Sequence, residues 1–334
     1  MNTKRMKVKI TELEKMVRSA LLKIYSEPDV DLITPVIMFG EISGKTSHGI
    51  VRLVGDKSSV LAMKPSGKTK IIRKSRFSSL IEGRGNPGML VGPIAMNEVI
   101  KIGREYGFGI VGTRGSQSST GCLSYYLEKI ANCGLIGIIM AQSPISTAPY
   151  GGIEPLFGTN PISFAFPSKH RPLIFDMGTS AISYGAILQA KATGQLLPEN
   201  VAVDKHGNST RDASAAAEGA TLTFDNSYKG SGLAMVVEIL SGLWPGADFS
   251  GLNKNGGWGN LFIAIKPDIF TDLNKFKSNI KKFTDRVRNS RTKNGSKVRI
   301  PGEMTLDTRD SNLEKKYLMI PSELIDMVKN SRKL

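Results

Sequence analysis

Three apolar runs interrupt the polar sequence between residues 134 and 176. Residues 135–141 contain no polar side chain, which predicts a strand buried on both faces. Residues 162–166 and 173–175 predict two more strands, which are flanked by prolines. A loop rich in serine, proline and glycine joins the first two strands and ends in Gly-Thr-Asn-Pro. A ligand site on a loop held by a rigid sheet explains this pattern, and so does core sheet with ordinary turns.

Helical spacing of apolar positions occurs near both ends of the chain. Residues 11–26 predict a helix with one buried stripe, and Thr11 with Glu14 form a capping-box pattern at its start. Residues 272–288 predict a helix whose inner face is formed by Phe276, Ile280 and Phe283. The same analysis predicts an apolar segment at 31–39, helices at 93–106, 122–132, 180–192, 233–243 and 321–330, and strands at 108–112 and 260–265.

The order of these elements indicates an α/β fold. A strand, a loop of small residues at 115–121, a helix and another strand follow one another between residues 108 and 141, which predicts parallel β-α-β organisation. No G-x-G-x-x-G follows a predicted strand, so the usual dinucleotide-binding fingerprint is absent.

Length and cysteine content narrow the class of protein. A chain of 334 residues suits two domains, or one large α/β domain with an attached lobe. The two cysteines, Cys122 and Cys133, cannot form a disulfide framework, and we expect both to be reduced thiols and no metal site. No apolar run approaches the length of a membrane helix and the start lacks a signal-peptide core, so we expect a cytoplasmic protein.

The chain is strongly basic, with 45 Lys and Arg against 29 Asp and Glu and a formal net charge of +16. Such a charge favours anionic partners, which are either nucleic acid or small anionic substrates and cofactors. Basic residues are densest at 64–76 and 275–299, but neither segment is interleaved with aromatic residues as in single-strand binders. A solvated surface is therefore the favoured interpretation, and we do not expect a nucleic-acid partner.

Two segments invite a chemical interpretation. Residues 40–46 imitate a phosphate-binding P-loop, but only three residues separate the glycines where the motif needs four. Just after it stands His48, which can exchange a proton near neutral pH, and Arg52 follows on a predicted strand and can grip a carboxylate. A purely structural His48 fits the sequence equally well. Lys229 and Gly230 precede a predicted helix and could hold an anion at its amino end, although a plain cap explains them too.

The series of motifs along the chain is similar to one known family. The segments are SHG-x-x-RL at 47–53, GCLSYY at 121–126, GLIGI at 134–138, QSPISTAPYGGIEPLFGTNP at 142–161, FDMGTS at 175–180, VAVDKHGNSTRD at 201–212, YKGSGLAMVVEILSG at 228–242, GNLFIAIKP at 259–267 and IPGE at 300–303. Together they resemble the malate/L-lactate dehydrogenase family of non-Rossmann type, which also includes ureidoglycolate, sulfolactate and diketogulonate oxidoreductases and cyclic imino acid reductases.

This resemblance implies a cytoplasmic NAD or NADP oxidoreductase of the 2-hydroxy acid class, with a non-Rossmann α/β fold, a small anionic substrate and a homodimeric assembly. The implied fold has a central mixed sheet in a cofactor-binding domain at 76–267 and a helical substrate lobe from 1–75 plus 268–334. His48 matches the proton donor and acceptor, while Ser47 and Arg52 match substrate contacts. The other implied site residues are Thr159 and Asn160 near substrate and nicotinamide, and Ser143, Asp176, Met177, Gly178, Lys229, Gly230, Gly302 and Glu303 at the cofactor.

The chain also departs from the family pattern. Many members carry His at the position of Ser119, and a Lys is common at Ala186 and a Trp near residues 200–201. Ser119 belongs to the predicted catalytic set because it can hydrogen-bond substrate, but a hydroxyl cannot act as a base near neutral pH. Three functions follow: hydride transfer to a 2-oxo acid, reduction of a cyclic imino acid, whose iminium already carries its proton, or anion or nucleotide binding without turnover.

Overall fold

The computed structural model describes residues 5–55, 58–63, 67–252 and 257–331, with only the backbone at residue 192. The first three residues of the basic segment 64–76 lie outside these ranges. The strands are β1 Arg5–Lys9, β2 Lys70–Arg73, β3 Ser78–Glu82, β4 Phe108–Ser116, β5 Ile136–Ala141, β6 Ile162–Phe166, β7 Leu173–Met177, β8 Ala202–Val203, β9 Ala220–Thr221, β10 Trp258–Ile265 and β11 Tyr317–Pro321. The helices are α1 Ile10–Leu21, α2 Glu27–Ile42, α3 Val51–Val54, α4 Gly88–Tyr106, α5 Leu123–Asn132, α6 Tyr184–Thr193, α7 Ala213–Glu218, α8 Tyr228–Glu238, α9 Leu273–Arg288, α10 Glu303–Lys315 and α11 Ser322–Ser331.

A seven-stranded mixed sheet in the order β2-β3-β4-β10-β5-β6-β7 forms the centre of the molecule. β3 and β4 pair in parallel across the α4 crossover. The β-α-β unit predicted at 108–141 corresponds to β4, α5 and β5. β4 and β5 also run in the same direction, but β10 lies between them and pairs antiparallel with both. A strand from late in the chain therefore separates two strands that the sequence places in succession.

Both ends of the chain pack together on one side of this sheet. β1 pairs antiparallel with β11, and the main apolar core joins residues of α1, α2 and α11 to residues of α4 and α5. This arrangement confirms the predicted α/β class with a central mixed sheet and a helical lobe from the chain ends. The domain boundaries stay a prediction. None of the described helices combines the length and apolar character that a membrane crossing demands.

The capping box predicted at the start of the first helix was wrong. Its cap residue is Lys9, which makes no side-chain capping bond, so Thr11 lies inside the helix and not before it. The cause is tertiary: β1 leads directly into α1, and the Ile10 amide donates to the Lys316 carbonyl oxygen at 3.1 Å. The buried stripe is confirmed by Leu13, Met16, Val17, Ala20 and Leu21, whereas Ile24 lies beyond the helix and is exposed.

Two further local predictions were wrong. Arg52 lies on the short helix α3 and not on a strand, because the chain turns directly after His48 through Gly49. The predicted inner face of α9 is only partly covered: α9 has no fully buried residue, and Phe283 is 61% exposed.

The second face of the sheet, opposite the one on which the chain ends pack, is apolar but is covered by few side chains. Register places one apolar row across five strands, formed by Ile110, Ile263, Ile138, Phe164 and Phe175. The first four pack at the margin of a small cluster with α8, and Phe175 is 40% exposed.

Candidate active site

His48 stands on a one-turn 3-10 helix, Thr46–His48, that is held against the end of α2. Gly40 of α2 makes this contact possible, since a Cβ there would lie 2.5 Å from the His48 carbonyl oxygen. The neighbouring Glu41 is buried and accepts the Ile50 amide at 3.0 Å, and its burial raises the pKa of its carboxyl group. The end of the turn that carries His48 is therefore fixed against α2.

His48 and Arg52 lie close together, as predicted. The Nδ1 atom of His48 is 3.0 Å from the Ser47 hydroxyl oxygen, and Arg52 Nε donates to the Ser47 carbonyl oxygen at 2.9 Å. Burial and then the positive charge of Arg52 lower the pKa of His48 to about 4. The imidazole is thus neutral near pH 7, and its Nδ1 edge is engaged by Ser47.

The carboxylate of Asp176 lies near enough to His48 to oppose this lowering of the pKa. It accepts hydrogen bonds from the Ser124 hydroxyl at 2.6 Å, the Ser124 amide at 3.2 Å and the Ser163 hydroxyl at 2.6 Å. Its neighbour Cys122 is a free, buried thiol whose pKa burial raises to about 12, so it is not a nucleophile. The structure thus places Asp176 near His48, although the family resemblance associated it with the cofactor.

A second cluster forms where the Gly-Thr-Asn-Pro loop meets the end of β7. The Ser143 and Thr159 hydroxyl oxygens are 3.0 Å apart, and the Asn160 amide donates to Ser143 Oγ at 3.1 Å. The Thr179 amide donates to the Thr159 carbonyl oxygen at 2.8 Å. Gly178 leaves space here, because a Cβ would lie 3.2 Å from that same oxygen. The predicted residues Ser143, Thr159, Asn160 and Gly178 therefore form one cluster, in which Asn160 is fully buried.

The side chains of Met177 and Ser119 make contacts outside the two clusters. The Met177 side chain packs in the apolar cluster on the second face of the sheet, so only its backbone can face a cofactor beside Asp176. Ser119 Oγ accepts the Gly121 amide at 3.0 Å and so stabilises its own loop. The start of α6 reaches the histidine turn, since a Cβ on Gly185 would lie 3.3 Å from Ser47 Cβ.

The start of α8 differs from the prediction. The helix begins at Tyr228, and the amides of Lys229 and Gly230 donate to Ser227 Oγ and Asp225 Oδ1, each at 3.1 Å. Both amides thus have acceptors within the chain, which agrees with the alternative of a plain cap. The exposed Lys229 ammonium group is the part of this segment that remains for a phosphate.

Gly302 and Glu303 lie along β7, the edge strand that carries Asp176. Gly302 has a left-handed φ of +86°, and a Cβ there would lie 2.6 Å from the Ile174 carbonyl oxygen, so only glycine fits comfortably. Glu303 accepts Arg288 Nη2 at 2.6 Å and the Ile300 amide at 3.0 Å. A cavity of about 250 Å³ between α9 and residues 300–307 includes Glu303 in its lining.

Sequence reasoning missed the buried carboxylate of Glu238, which holds the second cluster together. A signal was present: a single acidic residue stands inside the apolar run MVVEIL. A charged side chain in such a run is buried only with partners, so it marks a hydrogen-bonded network. Within the described ranges, no group of three or more His, Cys, Asp or Glu side chains could hold a metal ion.

Comparison with known proteins gives a consistent result. A family model described as malate/L-lactate dehydrogenase matches residues 8–329. The L-sulfolactate dehydrogenase of Methanocaldococcus jannaschii is 33% identical over 332 residues, which cover 95% of this chain and 94% of that protein. A Delta(1)-pyrroline-2-carboxylate/Delta(1)-piperideine-2-carboxylate reductase of Pseudomonas syringae pv. tomato is 32% identical over 258 residues, covering 73% of this chain and 74% of that one. The crystal structure of malate dehydrogenase from Entamoeba histolytica is similar with a TM-score of 0.92 and 26% identity, covering 99% of this chain and 98% of that one.

Proposed function

The chain belongs to the malate/L-lactate dehydrogenase family, and on that premise we propose that it is an NAD(P)-dependent oxidoreductase acting on a small 2-hydroxy or 2-oxo acid. The observation that carries this proposal is the pairing of a neutral, half-buried His48 with Arg52 and Asp176 beside the Ser143, Thr159 and Asn160 cluster. Hydride transfer at a hydroxy acid requires a base, a contact for the substrate anion and polar groups that hold the reactants in place.

The described residues fit a nicotinamide dinucleotide. Gly178 and Gly302 leave space against the backbone at either end of β7, and Lys229 offers an exposed cation near the end that carries Gly178. The Phe224 amide, which donates to the Thr179 carbonyl oxygen at 2.9 Å, ties the segment before Lys229 to that end of the strand. We assign Ser143, Asp176, Met177, Gly178, Lys229, Gly230, Gly302 and Glu303 to the cofactor side of the site. When bound, the nicotinamide ring supplies or accepts the hydride at substrate C2.

The chain's own groups would act as follows. Arg52 orients the substrate carboxylate, with Ser47, Thr159 and Asn160 as neighbouring polar contacts. In oxidation, Nε2 of His48 takes the hydroxyl proton while Nδ1–H donates to Ser47 Oγ, and the Asp176 carboxylate stabilises the imidazolium that forms. In reduction the same imidazolium returns the proton to the developing alkoxide.

A cyclic imino acid is the second candidate substrate. It is favoured by the Pseudomonas syringae relative and by Ser119, which stands where many family members carry a second histidine. A protonated iminium asks for no proton from the enzyme, so the loss of that histidine would matter less than for a ketone.

The test is oxidation of NADH and NADPH against a panel of 2-oxo acids and cyclic imino acids near neutral pH at low salt. Turnover on one class identifies the reaction, and His48→Ala should reduce it by about a hundredfold or more, the usual range for a general acid–base group. His206→Ala is the matched control, since His206 lies exposed in a separate turn. Near-normal turnover in His48→Ala would remove this histidine from the mechanism.

We also propose that the protein is a cytoplasmic homodimer. The apolar row on the second sheet face supports the dimer, and so does the outer stripe of α8 and the turn after it, where Met235, Ile239 and Leu243 are 50%, 46% and 48% exposed. The free thiols of Cys122 and Cys133 support a reducing compartment, which cell fractionation tests.

The assembly is tested by light scattering of Ile239→Glu. This variant should shift the mass from two chains to one, and Leu196→Glu, at a 66% exposed position on another surface, should not. A wild-type mass of a single chain would refute the dimer.

A further inference from the structure

Glu238 is a buried carboxylate whose role the proposed reaction does not use. It lies at the end of α8 with 6% of its surface exposed. Its Oε1 atom accepts Gln142 Nε2 at 2.7 Å and the Ser250 amide at 2.5 Å. Its Oε2 atom accepts Asn160 Nδ2 at 2.7 Å and the Ser250 hydroxyl at 3.2 Å.

This arrangement demands a carboxylate and not merely a polar side chain. Each oxygen has two donors within hydrogen-bond distance, and all are neutral groups of this chain. The single Ser250 hydroxyl proton is shared between Oε2 and the Ser143 carbonyl oxygen. Burial of a charge is costly unless donors surround it, and the protein meets that cost by bringing three separate segments to one residue. Gly242, one turn after Glu238, serves the same contact, because a Cβ there would collide with the Gln142 amide group.

The segments that converge on Glu238 also carry Ser143, Thr159 and Asn160, which form the second cluster of the candidate site. Asn160 has a left-handed φ of +34°, and its amide donates to Ser143 Oγ. The Ser250 hydroxyl also lies 3.0 Å from the Ser143 carbonyl oxygen. Ser143 in turn contacts the Thr159 hydroxyl. Glu238 therefore contacts Asn160 directly and is connected to Ser143 through Ser250, and Ser143 in turn contacts Thr159.

We propose that Glu238 is a positioning residue, which fixes the Thr159–Asn160 loop in the geometry that hydride transfer requires. This inference rests on the proposed function. It gives the carboxylate an effect on turnover that is separable from its effect on stability, because the hydrogen bonds of Asn160 and Ser143 in this network act on the loop itself.

The experiment compares Glu238→Gln with Val237→Ala in the full chain. Glutamine keeps the shape of Glu238 but replaces one acceptor oxygen by a donor that must face another donor. Val237 is the next residue on the same helix, is fully buried in the apolar cluster below α8, and tests the effect of a loss of packing alone. For both variants we would measure the unfolding midpoint, the steady-state kinetics, the Kd for NADH and NADPH, and hydrogen exchange of the amides in segment 142–160.

We expect Glu238→Gln to lower kcat by about tenfold or more, the effect of one buried donor left without a partner. The KM for the acid substrate should change less than kcat does, since Arg52, the contact for the substrate carboxylate, is held by other contacts. Exchange in segment 142–160 should rise. Val237→Ala should lower the midpoint without these changes.

The inference is overturned if Glu238→Gln keeps wild-type kcat and wild-type exchange, or if Val237→Ala reproduces both losses at a similar midpoint. Hydrogen exchange separates failure of this inference from failure of the proposed function, because it reports on the loop even when no substrate turns over. If Glu238→Gln does not fold, Ser250→Ala keeps the carboxylate and removes one hydroxyl donor. It should then show the same pattern at smaller size, and wild-type values in it would overturn the inference.

Discussion

The lowered pKa of His48 determines how hydroxy-acid oxidation should depend on pH. A base works in its neutral form, so activity is lost as the pH falls through its pKa. Burial and the charge of Arg52 place that pKa at about 4 instead of the ordinary 6.5. At about pH 5.5, roughly 97% of such an imidazole is neutral, whereas about 9% of an ordinary histidine is. Between about pH 5.5 and 7.5 the rate should therefore stay nearly constant, where an ordinary histidine would give about a tenfold rise.

The assay is kcat/KM for oxidation of the best hydroxy acid at saturating cofactor, because this ratio reports groups of the enzyme before the acid binds. The variant Arg52→Gln removes the second cause of the lowering. The acid limb of its pH profile should move to higher pH. It should stay below the pKa of an ordinary histidine, because burial is the larger cause of the lowered pKa. A wild-type limb near the ordinary histidine pKa would refute the environment described for His48. If the acid limb of Arg52→Gln lies at the same pH as in the wild type, the charge of Arg52 does not lower the pKa of His48.

Stability gives an independent check of the same shift. Because the pKa of this basic group is lower in the folded protein, the unfolded chain binds more protons between about pH 4 and 6.5, and folding weakens as the pH falls through that window. The upper limit of the effect is about 3 kcal/mol, reduced by the partial exposure of the ring. The check is denaturant unfolding of the wild type and of His48→Gln across this window. The difference between their free energies of unfolding should shrink toward zero above the window, and a constant difference would contradict the pKa shift.

Other substitutions test the packing and the local structure. Gly158→Ala should lower stability by about 1–3 kcal/mol and weaken cofactor binding, since its Cβ would collide with Ser143; in contrast, Gly232→Ala on α8 meets no neighbour and should stabilise by about 0.5–1 kcal/mol in urea unfolding. Asp272→Ala should cost about 1 kcal/mol, because Asp272 accepts two amides at the start of α9; an unchanged helical signal and midpoint would show that this cap is dispensable. Leu13→Ala should cost about 2–5 kcal/mol in the same assay, as Leu13 is fully buried in the main core, and a smaller loss would mean that the lobe repacks.

Apolar patterning predicted much of the secondary structure because it is a local property. The run at 162–166 is strand β6 with the same bounds, and the run at 135–141 is β5, which begins one residue later. The stripe of α1 was predicted by spacing alone, since positions three and four apart lie on one face of a helix. The family resemblance, carried by motifs spread over the chain, is confirmed by the match at residues 8–329.

The sequence was a weaker guide wherever a segment's partner lies far along the chain. The capping box at Thr11 was wrong because β1 and β11, from opposite ends, fix the entry to α1. At the start of α8, the Gly230 amide donates to Asp225, five residues earlier, a partner that the sequence did not identify. Hydrogen-bond partners of this kind depend on how the chain turns, and turn geometry is not periodic.

The sequence by itself therefore determined the α/β class, strands β4, β5, β6, β7 and β10 of the central sheet and the neighbouring pair His48 and Arg52. This pair lies four residues apart and could hardly be separated by folding. Tertiary structure alone decided that β10 separates β4 from β5, that Asp176 stands beside His48, and that Glu238 gathers three segments under the Asn160 loop. The physical reason is the range of the interactions. Periodic burial and short spacings are encoded within a few residues, whereas the surroundings of a buried charge come from segments that meet only when the whole sheet has formed.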